Sequence, residues 1–243
     1  IFATLKRAEV NFPYTQDEAR EKSLKEYDAE AVEKAISWLK APTNSPAMHF
    51  DQWASAIEVA AANVSGSRQE AGVSLAQEFK ILSAVVHACK ADADELNKGF
   101  HLVLGDFPGV QRVIYTITSD GATKGVRGRS FFLQLLAECV ARRVLDAREL
   151  PMTNALYIAG SKFLLLLDGG QDVADTVDTI WREINGNLLD TFEGDLSMVL
   201  ATTPVSVKAI KDHTLFSDAY AQLLKAESQQ KIQPFRGIRP DLF

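Results

Sequence analysis

Between positions 100 and 203 the sequence predicts an α+β fold in the order strand, helix, strand, strand, helix, strand. Three observations carry this. Helical periodicity stops at Phe100 and gives way to a short apolar run over 101–105. Two more apolar runs, 154–159 and 163–168, flank the small residues Gly160 and Ser161, which is a hairpin signature. Two stretches with apolar residues at helical spacing, one ending at Arg148 and one opening at Asp172, separate the strands. Right-handed crossovers then place both helices on one face of an antiparallel sheet, the ferredoxin-like βαββαβ arrangement of a palm-type domain. A helical layer over 1–99 precedes this 100–212 core, and a C-terminal helix with an exit segment, 213–243, follows it.

Within the N-terminal layer, Pro13 limits any helix in the first residues, and Leu24, Tyr27, Ala31, Ile36 and Leu39 predict a helix over 16–40. Pro42 and Pro46 break it. A second helix is expected over 50–64, and a third, capped by Ser74, over 75–97 with Phe79, Leu82, Val86 and Cys89 on its apolar side. His87 in that helix lacks a second ligand at helical spacing and reads as structural.

The first strand ends at Gly105-Asp106, and Pro108-Gly109 break the chain. Residues 110–118 either extend the strand or form a short helical turn followed by strand. The next helix, capped by Ser130 or by Thr123, buries Phe132, Leu135, Leu136, Cys139, Val140 and Val144. The unbroken leucine run after Lys162 implies a strand covered on both faces. Asp172 is expected to cap the second crossover helix, a last strand spans 194–203 until Pro204 stops it, and a final helix covers 217–227. Lys231 onward reads as the exit.

At 243 residues, 47% apolar and 24% charged, the chain is that of a globular protein, and its opening on Ile1 reads as a cut from something longer. A net charge of −6 excludes a general nucleic-acid-coating protein, so any anion site is local. The two cysteines, Cys89 and Cys139, sit in apolar helical patterns, read as buried thiols, and have no zinc spacing. No run approaches the ~20 apolar residues of a membrane span, and no signal peptide is visible, which reads as a cytoplasmic protein.

In a palm-type sheet the end of the first strand lies beside the tip of the hairpin. Asp106, Gly109, Gly160, Ser161 and Lys162 therefore form a candidate nucleotide site: a carboxylate suits Mg²⁺, and a small-residue turn admits phosphate, the other reading of Asp106 being a turn residue that bonds its own backbone ahead of Pro108-Gly109. Lys124, Arg127 and Arg129 open a helix with no acid from 121 to 137. Cations there oppose the helix dipole by ~0.3–1 kcal/mol each, which a polyphosphate or RNA backbone would offset; the other reading is a solvated loop or a salt bridge to a partner chain. The expected geometry brings positions 106, 129 and 161 to one mouth. Gly169-Gly170-Gln171-Asp172 follows the second hairpin strand instead of joining the pair, and reads as a helix-entry loop rather than a metal site. No Ser-His-Asp, Cys-His or HExxH constellation can be assembled.

Several stretches, in order, resemble the large polymerase-like subunit of type III CRISPR effector complexes, which makes cyclic oligoadenylate from ATP. These are 73–80 (VSLAQEFK), 104–111 (LGDFPGVQ) with 114–119 (IYTITS), 121–133 (GATKGVRGRSFFL), 157–167 (YIAGSKFLLLL), and 231–235 (KIQPF) with the terminal Leu242 and Phe243. The Lys124, Arg127, Arg129-Ser130-Phe131 spacing is the most specific of them. The resemblance is to the first-palm portion only. The HD pair of the nuclease, the zinc cysteines and the second palm with its acidic turn are not in this sequence.

What the resemblance implies is an ATP pocket wall rather than a complete catalyst. The catalytic acids would lie in the second palm, with ATP and Mg²⁺ bound in the full complex, other effector subunits as partners, and guide and target RNA contacted indirectly. Pro108 stands where the family carries Ser, and Ala159 and Ser161 stand where it carries glycines. The alternative implication is a non-catalytic palm-like scaffold holding neighbouring subunits and guide RNA through Lys124, Arg127 and Arg129.

Overall fold

The computed structural model describes residues 50–61, 74–115 and 122–238. The readings made for 1–49, the Ser65-Gly66 interruption, any strand over 116–118 and the terminal Leu242-Phe243 lie outside them. The chain divides into two units, 1–79 and 80–243. In the first, α1 (Phe50–Ala61) is the expected second helix, and α2 (Leu75–Ala88) begins there. Ser74 caps α2 reciprocally: its Oγ accepts from Gln77 N at 3.3 Å and its own N–H donates to Gln77 Oε1 at 2.9 Å.

The second unit is built on one antiparallel sheet of β1 (Phe100–Asp106), β2 (Ala155–Ala159), β3 (Lys162–Leu167) and β4 (Val199–Val205), in the order β2-β3-β1-β4. α4 (Val110–Tyr115) and α5 (Ala122–Asp146) lie between β1 and β2, and α6 (Val173–Phe192) joins β3 to β4. This is the βαββαβ order expected from the sequence. α3 (Ala93–Asn97) precedes the sheet, and α7 (Val207–Lys211) and α8 (His213–Ile232) follow it.

Because side chains alternate across a strand, the two faces collect separate cores. Val103, Phe163, Leu165, Leu167 and Leu200 meet Leu133, Ala137, Val140 and Val144 of α5 and Val177, Ile180 and Leu188 of α6. Leu102, Leu104, Leu164, Leu166 and Val199 meet Ala84 and Ala88 of α2 and Ala219 and Leu223 of α8. Each buried leucine contributes roughly 1.5–3 kcal/mol, and the run after Lys162 serves both faces at once.

Several local expectations are corrected. The third helix is not continuous to Asn97: Lys90 and Ala91 take φ of 51° and 53°, which breaks it between α2 and α3. Its packed face is the small one, Ala84 and Ala88, while Ile81, Leu82 and Val86 are exposed. Of the two readings left open after Gly109, residues 110–115 take the helical one. α5 starts at Ala122, so neither Thr123 nor Ser130 caps it, and it buries Leu133, Ala137 and Ala141 while Phe132, Leu135 and Cys139 are exposed. Only Cys89 is a buried thiol.

Pro204 does not stop β4 but pairs with His101 inside it. The strand is at the sheet edge, where a missing N–H costs no ladder bond. The final helix extends past 227 to Ile232, so Lys231 belongs to its last turn.

Asp172 flanks α6 without capping it through its side chain. Its carboxylate instead takes Arg148 Nη1 at 2.7 Å, while Arg148 forks onto Asp168 at 2.8 and 2.6 Å. A Cβ at Gly170 would stand 2.7 Å from Arg148 Nη2 and 2.8 Å from Asp168 Oδ2, so a larger residue there would displace the fork.

Candidate functional site

β1 ends at Asp106, in register with Lys162 on one side and Val199 on the other, so its carboxyl end meets the start of β3. The Phe107 N–H donates to Ser161 O at 3.2 Å, tying the strand end to the hairpin tip. Gly160 turns the hairpin with φ +59°, a left-handed conformation costly for other residues, and open space lies where its side chain would be. Gly109, φ +79° and equally open, starts α4. Asp106, Gly160, Ser161 and Lys162 thus come together as expected.

The Asp106 side chain faces α8, on the side of the sheet that carries Leu102 and Leu104, and is 5% exposed. Its Oδ2 receives Lys231 Nζ at 2.7 Å and lies 3.4 Å from Lys162 Nζ. Glu227, one turn before Lys231 and nearly as buried, takes the same Lys231 Nζ at 2.7 Å and lies 3.5 Å from Lys162. Two nearly buried acids therefore balance two partly exposed ammonium groups. Burial alone would raise the Glu227 carboxyl, but the Lys231 hydrogen bond and the charges of both lysines overcome it and hold the carboxyl below its ordinary value. Burial likewise works to lower Lys231, and its bonds to Asp106 and Glu227 win, raising it. Next to them, burial, reinforced by Tyr220, Glu227 and Asp106, pushes the Tyr157 phenol up to about 12.

Arg129 does not join this cluster. It lies on α5, which packs on the opposite face, and its Nη1 points to the carbonyls of Val113 and Ile114 at 3.3 and 3.5 Å, at the end of α4. The expected common mouth for positions 106, 129 and 161 is corrected to 106, 161 and 162: a side chain on a crossover helix cannot reach the face that Asp106 addresses. Arg127 is exposed in the second turn of α5, and Lys124 stands in the first.

Sequence reasoning missed Glu227, Lys231 and Tyr220. The available signal was an acid in a buried stripe: Ala219, Leu223 and Glu227 recur every four residues on the packed side of α8. Among the described residues no group of three or more His, Cys, Asp or Glu is placed to hold a metal. Asp106 and Glu227 already have ammonium partners, so they do not fit the Mg²⁺ ligand role read from Asp106. No helix among the described residues is long and apolar enough to cross a membrane.

An antiparallel βαββαβ sheet, with its crossover helices on one face and its strand end and hairpin tip joined by a charged cluster, defines a palm-type α+β domain. The profile of the family "Csm1 subunit domain B" matches residues 99–243, and the chain belongs to that family, a portion of the Cas10/Csm1 large subunit of type III CRISPR systems.

Curated relatives include the Cas10/Csm1 single-strand-specific deoxyribonuclease of the subtype III-A system of Methanocaldococcus jannaschii, 32% identical over 112 residues. The corresponding protein of Mycobacterium tuberculosis is 34% identical over 117 residues. These alignments cover 46% and 48% of this chain but 14% of each relative, so the chain matches only a small part of their length. A crystal structure of a Csm1–Csm4 cassette in complex with pppApApA superposes with a TM-score of 0.76 at 25% identity, over 88% of this chain and 31% of that one. The apo cassette gives 0.74 at 25%, over 90% and 30%.

Proposed function

We propose that this chain is the first-palm segment of the large subunit of a type III CRISPR RNA-guided antiviral complex, and that it forms one wall of an ATP pocket used for cyclic oligoadenylate synthesis. The observation that carries this is the hairpin tip. Gly160 leaves open backbone beside the half-exposed Lys162 ammonium, at the end of the central strand, and phosphate binding calls for that pairing. The similar Csm1–Csm4 cassette that binds pppApApA supports the reading.

In this pocket Gly160, Ser161 and Lys162 cradle phosphate, with Gly109, at the start of α4, as a further small residue. Asp106 acts indirectly, by aiming Lys162, since a carboxylate repels a phosphate. The metal-binding acids of cyclisation belong to another part of the subunit, where Mg²⁺ accompanies ATP, and this chain alone is not a catalyst. Other effector subunits, a Csm4-type one first, are its partners, and guide and target RNA are reached through them. Photo-crosslinking an azido-ATP to the intact complex and mapping the labelled peptides tests this. Label within 157–167 is expected, and label confined to other parts of the subunit would refute it.

The second reading, a scaffold contacting guide RNA, draws on the exposed Arg127 in the acid-free opening of α5. It predicts that Arg127→Ala lowers RNA retention in the complex and flattens its salt dependence while ATP binding is unchanged.

A further inference from the structure

We propose that the Lys231 ammonium is the resident cation of a carboxylate pair, Asp106 at the end of β1 and Glu227 on α8, and that it excludes divalent metal from this palm while bolting α8 to the end of β1. The geometry is that of an occupied ion site. One nitrogen stands 2.7 Å from Asp106 Oδ2 and 2.7 Å from Glu227 Oε1, somewhat longer than the ~2.0–2.1 Å of Mg²⁺–oxygen and close to the ~2.3–2.6 Å of Ca²⁺–oxygen contacts. Both carboxylates are more than nine-tenths buried, so two negative charges without a cation between them would be strongly disfavoured. Lys162, 48% exposed and at 3.4 and 3.5 Å, is the looser second cation. With both lysines present the four formal charges cancel, and a divalent ion would bring two positive charges that nothing opposes.

The same turn of α8 grips the sheet edge next to the pair. Gln230 accepts from Leu200 N at 2.9 Å and donates to Leu200 O at 3.3 Å, so its amide imitates a neighbouring strand on β4. Lys231 is thus held from both sides: by its helix, anchored on β4, and by the end of β1. Sequence separation conceals the arrangement, because the ammonium sits in the final turn of α8 and the carboxylate at the end of β1. The ion-pair geometry supports this whether or not the palm binds a nucleotide.

The test uses Mn²⁺ as the probe, with amide NMR signals of the whole chain as the readout. In the wild type, millimolar Mn²⁺ is expected to leave the signals of 105–107, 161–162 and 227–231 unbroadened relative to the rest of the surface. In the Lys162→Met/Lys231→Met variant those signals are expected to broaden to loss, and Asp106→Asn added to that background is expected to restore them. Saturable broadening at these residues in the wild type would overturn the proposal. So would a folded double-lysine variant, verified by its circular dichroism, that stays blind to Mn²⁺, because the lysines would then not be what excludes the ion. If the double variant does not fold, the single Lys231→Met variant is read in the same way: Mn²⁺ broadening at 105–107 and 227 supports the proposal, and its absence in the folded single variant overturns it. Failure of ATP to label the hairpin would leave this result untouched, so the two readings fall separately.

Discussion

The ring of Phe163 fills the space directly over Gly105, its partner across the β1–β3 ladder: a Cβ built on Gly105 would lie 2.1 Å from the ring's Cζ. Phe163 is fully buried, so the ring has nowhere to retreat. Gly105→Ala is therefore expected to destabilise the fold by about 1–3 kcal/mol, the range for overpacking a core. A urea titration measures it, and a midpoint within error of the wild type would contradict the packing described.

Asn185, buried in the middle of α6, replaces backbone pairing for Met198 just ahead of β4. Its Oδ1 accepts from Met198 N at 2.8 Å and its Nδ2 donates to Met198 O at 2.9 Å. Asn185→Leu removes both bonds and strands a buried N–H, which costs about 1–3 kcal/mol. A lowered thermal midpoint is expected, together with faster amide exchange at Met198.

The strand order and hairpin were legible because alternating burial and the Gly160-Ser161 tip are local signals, and so was the two-sided burial of the leucine run. Faces were not legible where small residues pack. Ala84 and Ala88 lie against the sheet while Leu82 and Val86 point outward, and Leu133, Ala137 and Ala141 displace Phe132 and Leu135 from the core. A hydrophobic stripe ranks residues by apolarity, whereas close helix–sheet contact selects for size. Pro204 misled because its effect depends on whether a strand is at the edge, which only the assembled sheet decides. For the site, the Asp106–Lys162 pairing followed from the hairpin geometry. Lys231 and Glu227 did not, since nothing near Asp106 in the sequence indicates that α8 returns to it.

Arg148 ties the end of the first crossover to the start of the second. The guanidinium is 14% exposed and the Asp168 carboxylate 9%. Arg148→Ala leaves Asp168 without its partner and is expected to cost near the low end of the ~3–5 kcal/mol seen for broken buried pairs. Arg148→Lys, which keeps charge but not the fork, should recover only part of this. Chemical denaturation of the pair of variants distinguishes lost charge from lost geometry.

Stability should hold across neutral pH and fall at both extremes. Glu227 is depressed below its ordinary 4.5, so its contribution is complete above that value and is lost as pH falls through the lower folded value. Lys231 is raised above its ordinary 10.5, so its contribution is complete below that value and is lost as pH rises through the higher folded one. Glu227→Gln should flatten the acid limb of a urea-midpoint profile. An acid limb identical to the wild type would show that Glu227 carries no such linkage.

The most direct measurement is calorimetric ATP binding to the intact effector complex carrying Lys162→Ala in this palm. Losing one ammonium–phosphate contact, worth about 1.5–3 kcal/mol, predicts an affinity roughly ten- to a hundredfold weaker with the complex still assembled. Unchanged affinity would contradict the claim that the hairpin tip of this palm holds the nucleotide.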